Sequence, residues 1–223
     1  MILKMNAIVA ELSAILSYFS PIILLFGIIL GIVYYPRLDR AHRLLILFLS
    51  MALFIDILSR LAGEFYGNNL IFIPIFGLLE LVLWSYIYFS CLMAIKNKIW
   101  LILVWILVLY NLYEIVTLLN VEPKDFNSNS RVFDSLAVVI ISIVFYIKQI
   151  VNENPAKPGF MFLNTIIFAF YSLNLILYLP INFLINETSN IKFIFWSISL
   201  VLTLVFYSSI IRLIWIHGKN HKP

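Results

Sequence analysis

Apolar residues in this chain run in blocks of about 20 or more, broken by short polar clusters, the pattern of helices that cross a bilayer. Seven blocks occur, at roughly 12–35, 43–63, 70–95, 99–119, 132–151, 160–185 and 191–216. The connections PRLDRAH, GEFYGNN, KNK, NVEPKDFNSNSR, NENPAKPG and NETSN are too short to hold a soluble domain, so residues 1–223 read as one unit. The predicted fold is all-α, a polytopic integral membrane bundle of seven transmembrane helices. The first block is longer than a signal-peptide core and lacks a small-residue cleavage pattern, which predicts a retained helix.

At about 100° per residue, the polar positions within the blocks fall on narrow helical faces. The third block aligns Gly77, Glu80, Trp84, Tyr88 and Cys91, and the sixth aligns Asn164, Tyr171, Asn174, Tyr178 and Asn182. The seventh aligns Lys192, Trp196, Ser199, Thr203 and Tyr207. Shorter faces carry Asn111 with Glu114 on the fourth block, and Ser135, Ser142, Tyr146 and Gln149 on the fifth. Lipid offers no hydrogen bonds, so these faces must turn inward.

Composition and charge sharpen this picture. With 63% hydrophobic and 12% charged residues, the chain lies far outside the range of soluble domains. Its Ile-, Phe- and Asn-rich make-up resembles that of small membrane proteins from AT-rich bacterial genomes, which implies a bacterial inner (plasma) membrane. One side of the membrane would collect Arg37, Arg40, Arg43, Lys96, Lys98, Lys148, Lys157, Arg212, Lys219 and Lys222, and the other Lys4, Arg60, Lys124, Arg131 and Lys192. Ten against five puts the first set in the cytoplasm, with the N-terminus outside and the C-terminus cytoplasmic. No basic stripe interleaved with aromatics points to nucleic acid. The single Cys91 permits no intrachain disulfide.

Given that orientation and 1.5 Å of rise per residue, Glu114, Trp196 and Asn182 lie roughly 5–8 Å below the outer surface, and Asp56, Glu80 and Asn174 roughly 12–16 Å. The expectation is a polar and aromatic cavity in the outer half of the bundle, with Glu80 on its floor. Pro21, Pro74 and Pro180 are expected to kink helices beside it. Glu80 and Glu114 have no cation on their own helix faces, so each is protonated, partnered across helices or available to a ligand. Asp56, Arg60 and Glu64 are spaced four apart, so Arg60 can bridge both acids at the membrane boundary. Asp134 is expected to be solvated or to cap its helix. Asn and Tyr on the sixth helix also suit interhelical hydrogen bonding, and Gly27 with Gly31 forms a GxxxG seam against another helix or another protomer. The sequon Asn186, Glu187, Thr188 lies on the outer side.

Absences remove several chemistries. His42, His217 and His221 all fall at the cytoplasmic edges, which argues against a buried histidine zinc site. Lys192 lies too near the outer end for a retinal Schiff base, and no intramembrane protease, Walker or dinucleotide motif is present. No metal or cofactor is expected. The leading reading is a cavity that binds a small amphipathic or cationic ligand for transport or signalling, through Glu80, Trp84, Glu114, Tyr171, Asn174, Tyr178, Asn182 and Trp196. A second reading is a lipid-modifying hydrolase with Glu80, Glu114 and Asp56 as acid and base. It is similar in residue chemistry and size, though not in motif, to the membrane lysoplasmalogenases. A third is an accessory subunit whose RLDRAHR and KNK loops touch a cytoplasmic protein. Membrane lipid, and a second copy of the chain through Gly27 and Gly31, are the other expected partners.

Overall fold

The computed structural model describes residues 2–93, 98–119, 121, 126–151, 158–180 and 191–220, with side chains from residue 15 onward except those of 191–193. Asn182, the sequon at 186–188, and Lys96, Lys124, Lys157 and Lys222 lie outside the described residues, as do the side chains of Lys4 and Lys192. The helices are α1 (Ile2–Tyr34), α2 (Arg40–Tyr66), α3 (Phe72–Tyr86), α4 (Lys98–Leu118), α5 (Ser130–Val151), α6 (Pro158–Tyr178) and α7 (Ile191–Asn220). No strand occurs among the described residues. All seven helices contain a segment long and apolar enough to cross a membrane, with mean hydropathy between 1.8 and 2.4.

Local chemistry accounts for the boundaries. Asp39 caps α2, its carboxylate accepting from the His42 backbone N–H, and Gly67 closes the helix in the left-handed region at φ 66°. The third span does not run as α-helix to 95: past Tyr86 it widens into a π-helical turn over Ile87–Leu92, closed by Met93 N–H on the Tyr88 carbonyl. The Lys148 ammonium reaches the Met93 carbonyl, placing a cation at the C-terminal end of that span. α6 stops at Tyr178, short of the expected 185, because the residue before Pro180 is disfavoured from helical geometry. Two of the three expected kinks are absent for related reasons. Pro180 follows its helix, and Pro74 sits in the first turn of α3, where backbone N–H groups have no helical partner. Only Pro21 is inside a helix.

α1 packs along α7 and α2, α7 along α6, α6 along α5, α5 along α3, and α3 along α4, while α2 also touches α3 and α7. α1 and α4 are peripheral and turn Ile29, Val33, Ile106 and Leu109 outward, each about 60% or more exposed or close to it. So much exposed aliphatic surface belongs against lipid. Inside, Phe48, Trp84, Phe170, Tyr171, Phe206 and Tyr207 form an aromatic core, with Phe170 and Phe206 stacked at 3.9 Å and Phe48 against Trp84 at 4.9 Å.

Of the two partners open to the glycine seam, the chain supplies its own helices. A Cβ on Gly27 would lie 2.6 Å from Ile211 and 2.8 Å from Leu49, and one on Gly31 would lie 2.7 Å from Ile46. These contacts bring α1 against α7 and α2 as closely as small residues permit. Gly31→Ala is therefore expected to lower the melting temperature of the purified protein through an overpacking cost of about 1–3 kcal/mol. Combined with Ile46→Ala, the loss should fall short of the sum of the two single changes. Strict additivity would show that the two residues do not press on each other.

Candidate functional site

The end of the bundle that carries the α2–α3 and α4–α5 connections contains a partly open cavity of about 270 Å³. Ser20 from α1 and Ala52, Ile55, Asp56 and Ser59 from α2 form one side. Phe72, Ile73 and Phe76 from α3, Arg131 from α5 and Tyr178 from α6 form another, and α7 closes it with Trp196, Ser199, Thr203 and Tyr207. Asp56, Tyr178, Trp196 and the Ser199, Thr203, Tyr207 stripe are thus brought to one space.

Glu80 lies behind the wall, 1% exposed, in an ion pair with Arg131 Nη1. Its partner sits on a neighbouring helix, one of the possibilities left open by the absence of a cation on its own face. Arg131 does not stand in an outer loop. It is the second residue of α5 and only 3% exposed, with its guanidinium carbon 5.4 Å from the Phe76 ring centre and 5.1 Å from that of Tyr178. Gly77 makes this possible: a Cβ there would lie 2.5 Å from Asp134 Oδ2 and 3.3 Å from Arg131 Cδ. Asp134 is likewise no surface cap. It is 1% exposed, accepts from Asn111 Nδ2 at 2.8 Å through Oδ1, and has no hydrogen bond to Oδ2 among the described residues. The signal for Arg131 was present in the sequence, since the fifth-helix stripe of Ser135 and Ser142 continues back one turn to residue 131.

The remaining expected site residues sort by network. Trp84 is fully buried in the aromatic core and donates from Nε1 to the Tyr171 hydroxyl at 2.6 Å, while Tyr171 also faces the Glu80 carboxylate. Asn174 is buried at 1% exposure with no partner for Nδ2 among the described residues. Asn164 ties three helices, its Oδ1 accepting from Tyr88 at 2.5 Å and from Ser142 at 2.7 Å. Glu114 does not reach the cavity. It caps the N-terminus of α5 from α4, accepting the backbone N–H groups of Asn129 and Ser130 at 3.1 Å, the hydroxyls of Ser128 and Ser130, and that of Tyr110 at 3.0 Å. A carboxylate facing otherwise unpaired helical N–H groups satisfies both partners. Arg60 pairs with Asp56 at 3.1 Å and turns its other end to the Ser17 carbonyl at 2.6 Å, leaving Glu64 exposed instead of bridging both acids.

At the basic end, two histidines come together that are far apart in sequence. The His42 and His217 rings stack with centres 3.8 Å apart, and Asp39 lies 2.8 Å from His42 Nδ1 and 3.6 Å from His217 Nε2. The three potential ligand atoms of Asp39, His42 and His217 lie within 4.8 Å of one another. However, rings only 19° from parallel do not aim their nitrogens at one point, and Arg37, Arg40 and Arg43 surround the group in sequence. The arrangement reads as a latch between the start of α2 and the end of α7. Compared with protein-family models, curated proteins and solved structures, the chain matches none.

Two outcomes follow from these networks. Arg131→Ala leaves Glu80 buried without its cation and should destabilise the protein by about 3–5 kcal/mol in thermal or denaturant unfolding. The Glu80→Leu, Arg131→Met pair should recover most of that loss, and a double variant as unstable as Arg131→Ala would remove the ion pair from the account. Asp39 gives a pH signature. Burial alone would raise its carboxyl, but the His42 side-chain and backbone hydrogen bonds and the pull of both imidazoles hold it below the usual carboxylate range. A group depressed by folding stabilises fully above its unfolded value of about 3.9 and loses that contribution as pH falls below it. The acid limb of the melting curve should flatten in Asp39→Asn, and an unchanged limb would show that the latch carries no such linkage.

Proposed function

We propose that this chain is a multi-pass membrane protein that holds a small amphipathic molecule in the cavity beside Asp56, Arg131, Tyr178 and Trp196, in the service of transport or signalling. The observation that carries the reading is the cavity itself, in which charged and hydroxyl groups and aromatic rings from six helices meet aliphatic side chains. A ligand site has this make-up, a mostly apolar wall with a few placed polar groups. At about 270 Å³ the space suits a headgroup or a short segment of a ligand and is too small for a whole lipid.

Two features support the outward orientation of this cavity. The opposite end carries most of the Lys and Arg, as the positive-inside rule requires of a cytoplasmic face. Of the cations at the cavity end, Arg60 and Arg131 are each held by a carboxylate, so that end presents little free positive charge from them. The bacterial inner membrane accords with this arrangement. The hydrolase reading receives less support, because Glu80, Glu114 and Asp56 belong to three separate networks and no two of them share the cavity as acid and base.

Ser59 lines the cavity and provides a test. In a Cys91→Ser background, Ser59→Cys should react with a membrane-impermeant maleimide in intact cells. On purified protein in nanodiscs, labelling should slow on adding dodecyltrimethylammonium, dodecyl phosphate or lysophosphatidylethanolamine. Labelling confined to inside-out vesicles would reverse the orientation, and absence of protection by all three amphiphiles would defeat the binding reading.

A further inference from the structure

Two ion pairs flank the cavity, and in each only the inner member lines it. Asp56 receives Arg60 through Oδ2, and Oδ1 has no hydrogen bond among the described residues. Arg131 donates to Glu80 through Nη1, and Nε and Nη2 have no acceptor among the described residues. The charges therefore run Arg60 plus, Asp56 minus, open space, Arg131 plus, Glu80 minus. Tyr207, which also lines the space, lies within electrostatic reach of Asp56, Arg131 and Glu80.

Resting on the reading of this cavity as a ligand site, we infer that it takes a zwitterionic head, an ammonium group joined by a short link to a phosphate or carboxylate. The ammonium meets Asp56 Oδ1, and the anion meets the free donors of Arg131. A lone cation would gain Asp56 but face Arg131 across the same space, and a lone anion would gain Arg131 but face Asp56. With little water to screen them, such like-charge encounters are costly. A head carrying both charges completes an alternating row and leaves the net charge of the site unchanged. The walls agree with this polarity. Trp196 and Tyr207 add aromatic rings to the lining, the groups that attract an ammonium, and Tyr178 already covers the Arg131 guanidinium at 5.1 Å, holding its planar fork in place for an anion. Ile55, Ile73 and Leu200 give an attached carbon chain an apolar bed.

Lysophosphatidylethanolamine, glycerophosphoethanolamine, dodecyltrimethylammonium and dodecyl phosphate separate the possibilities when their dissociation constants are measured on the purified full chain. Lysophosphatidylethanolamine should bind about tenfold or more tightly than either the purely cationic or the purely anionic amphiphile. Asp56→Asn should weaken it about tenfold and shift preference toward dodecyl phosphate. Arg131→Lys should weaken it as well, and if that variant does not fold, Asp56→Asn decides alone. If glycerophosphoethanolamine binds as well as the lysolipid, the source is a free zwitterion; if only the lysolipid binds, it is a lipid headgroup, and both results support the inference. Equal binding of dodecyltrimethylammonium or dodecyl phosphate, or an Asp56→Asn protein with unaltered preference, overturns it while leaving the cavity as a ligand site. Failure of every probe to bind overturns the ligand site itself.

Discussion

A buried ion pair, Glu80 with Arg131, governs how the middle of this bundle is assembled. Glu80 is 1% and Arg131 3% exposed, and charges so far removed from bulk water each require the other. The pair joins α3 to α5, and its neighbours follow from it. Gly77 has no side chain because Asp134 and Arg131 occupy that space. Phe76 and Tyr178 cover the guanidinium, and Tyr171 stands between Glu80 and Trp84, which anchors the aromatic core.

The same requirement is met in other ways elsewhere along α5. Its N-terminal N–H groups, which a helix cannot satisfy internally, are taken by Glu114 from α4, while Ser142 farther along joins Tyr88 and Asn164. α5 thereby holds polar networks to α4 and α3 at its N-terminal end, and to the π-helical turn of the third span and α6 at its middle. α1 and α7 are joined by close apolar contact at Gly27, and α1 and α2 at Gly31. The half around α5 is fastened by buried hydrogen bonds and charge, and the α1, α2 and α7 half by close packing at Gly27 and Gly31 with polar ties at its two ends. The cavity opens where the two halves meet, between Asp56 on α2 and Arg131 on α5. Its polar groups are members of structural networks that each leave a face toward open space, so binding and stability depend on the same residues.

Much of this was legible along the chain. Block length and hydropathy determined seven helices long and apolar enough to cross a membrane, because about 20 apolar residues in a row have few alternatives. Helical periodicity also determined which face of α3 and α6 turns inward: Gly77, Glu80, Trp84 and Tyr88, and Asn164, Tyr171 and Asn174, are all buried. Tyr178 and Trp196, on the polar faces of their helices, line the cavity. What periodicity does not contain is which helix stands opposite. Periodicity left Glu80 protonated, partnered across helices or open to a ligand because its cation is 51 residues away on α5, and Arg131 and Asp134 read as surface charges because they lie next to a polar connection. His42 and His217 read as edge residues far apart along the chain, and only the fold shows that they stack. By itself the sequence determined the solvent, the helices and their inward faces, since these depend on interactions within about one helical turn. Only the tertiary structure decided that Glu114 caps a helix, that Glu80 is neutralised and that Asp56 is the acid left facing the cavity, because each of those outcomes is set by the charge that a different helix brings within hydrogen-bonding distance.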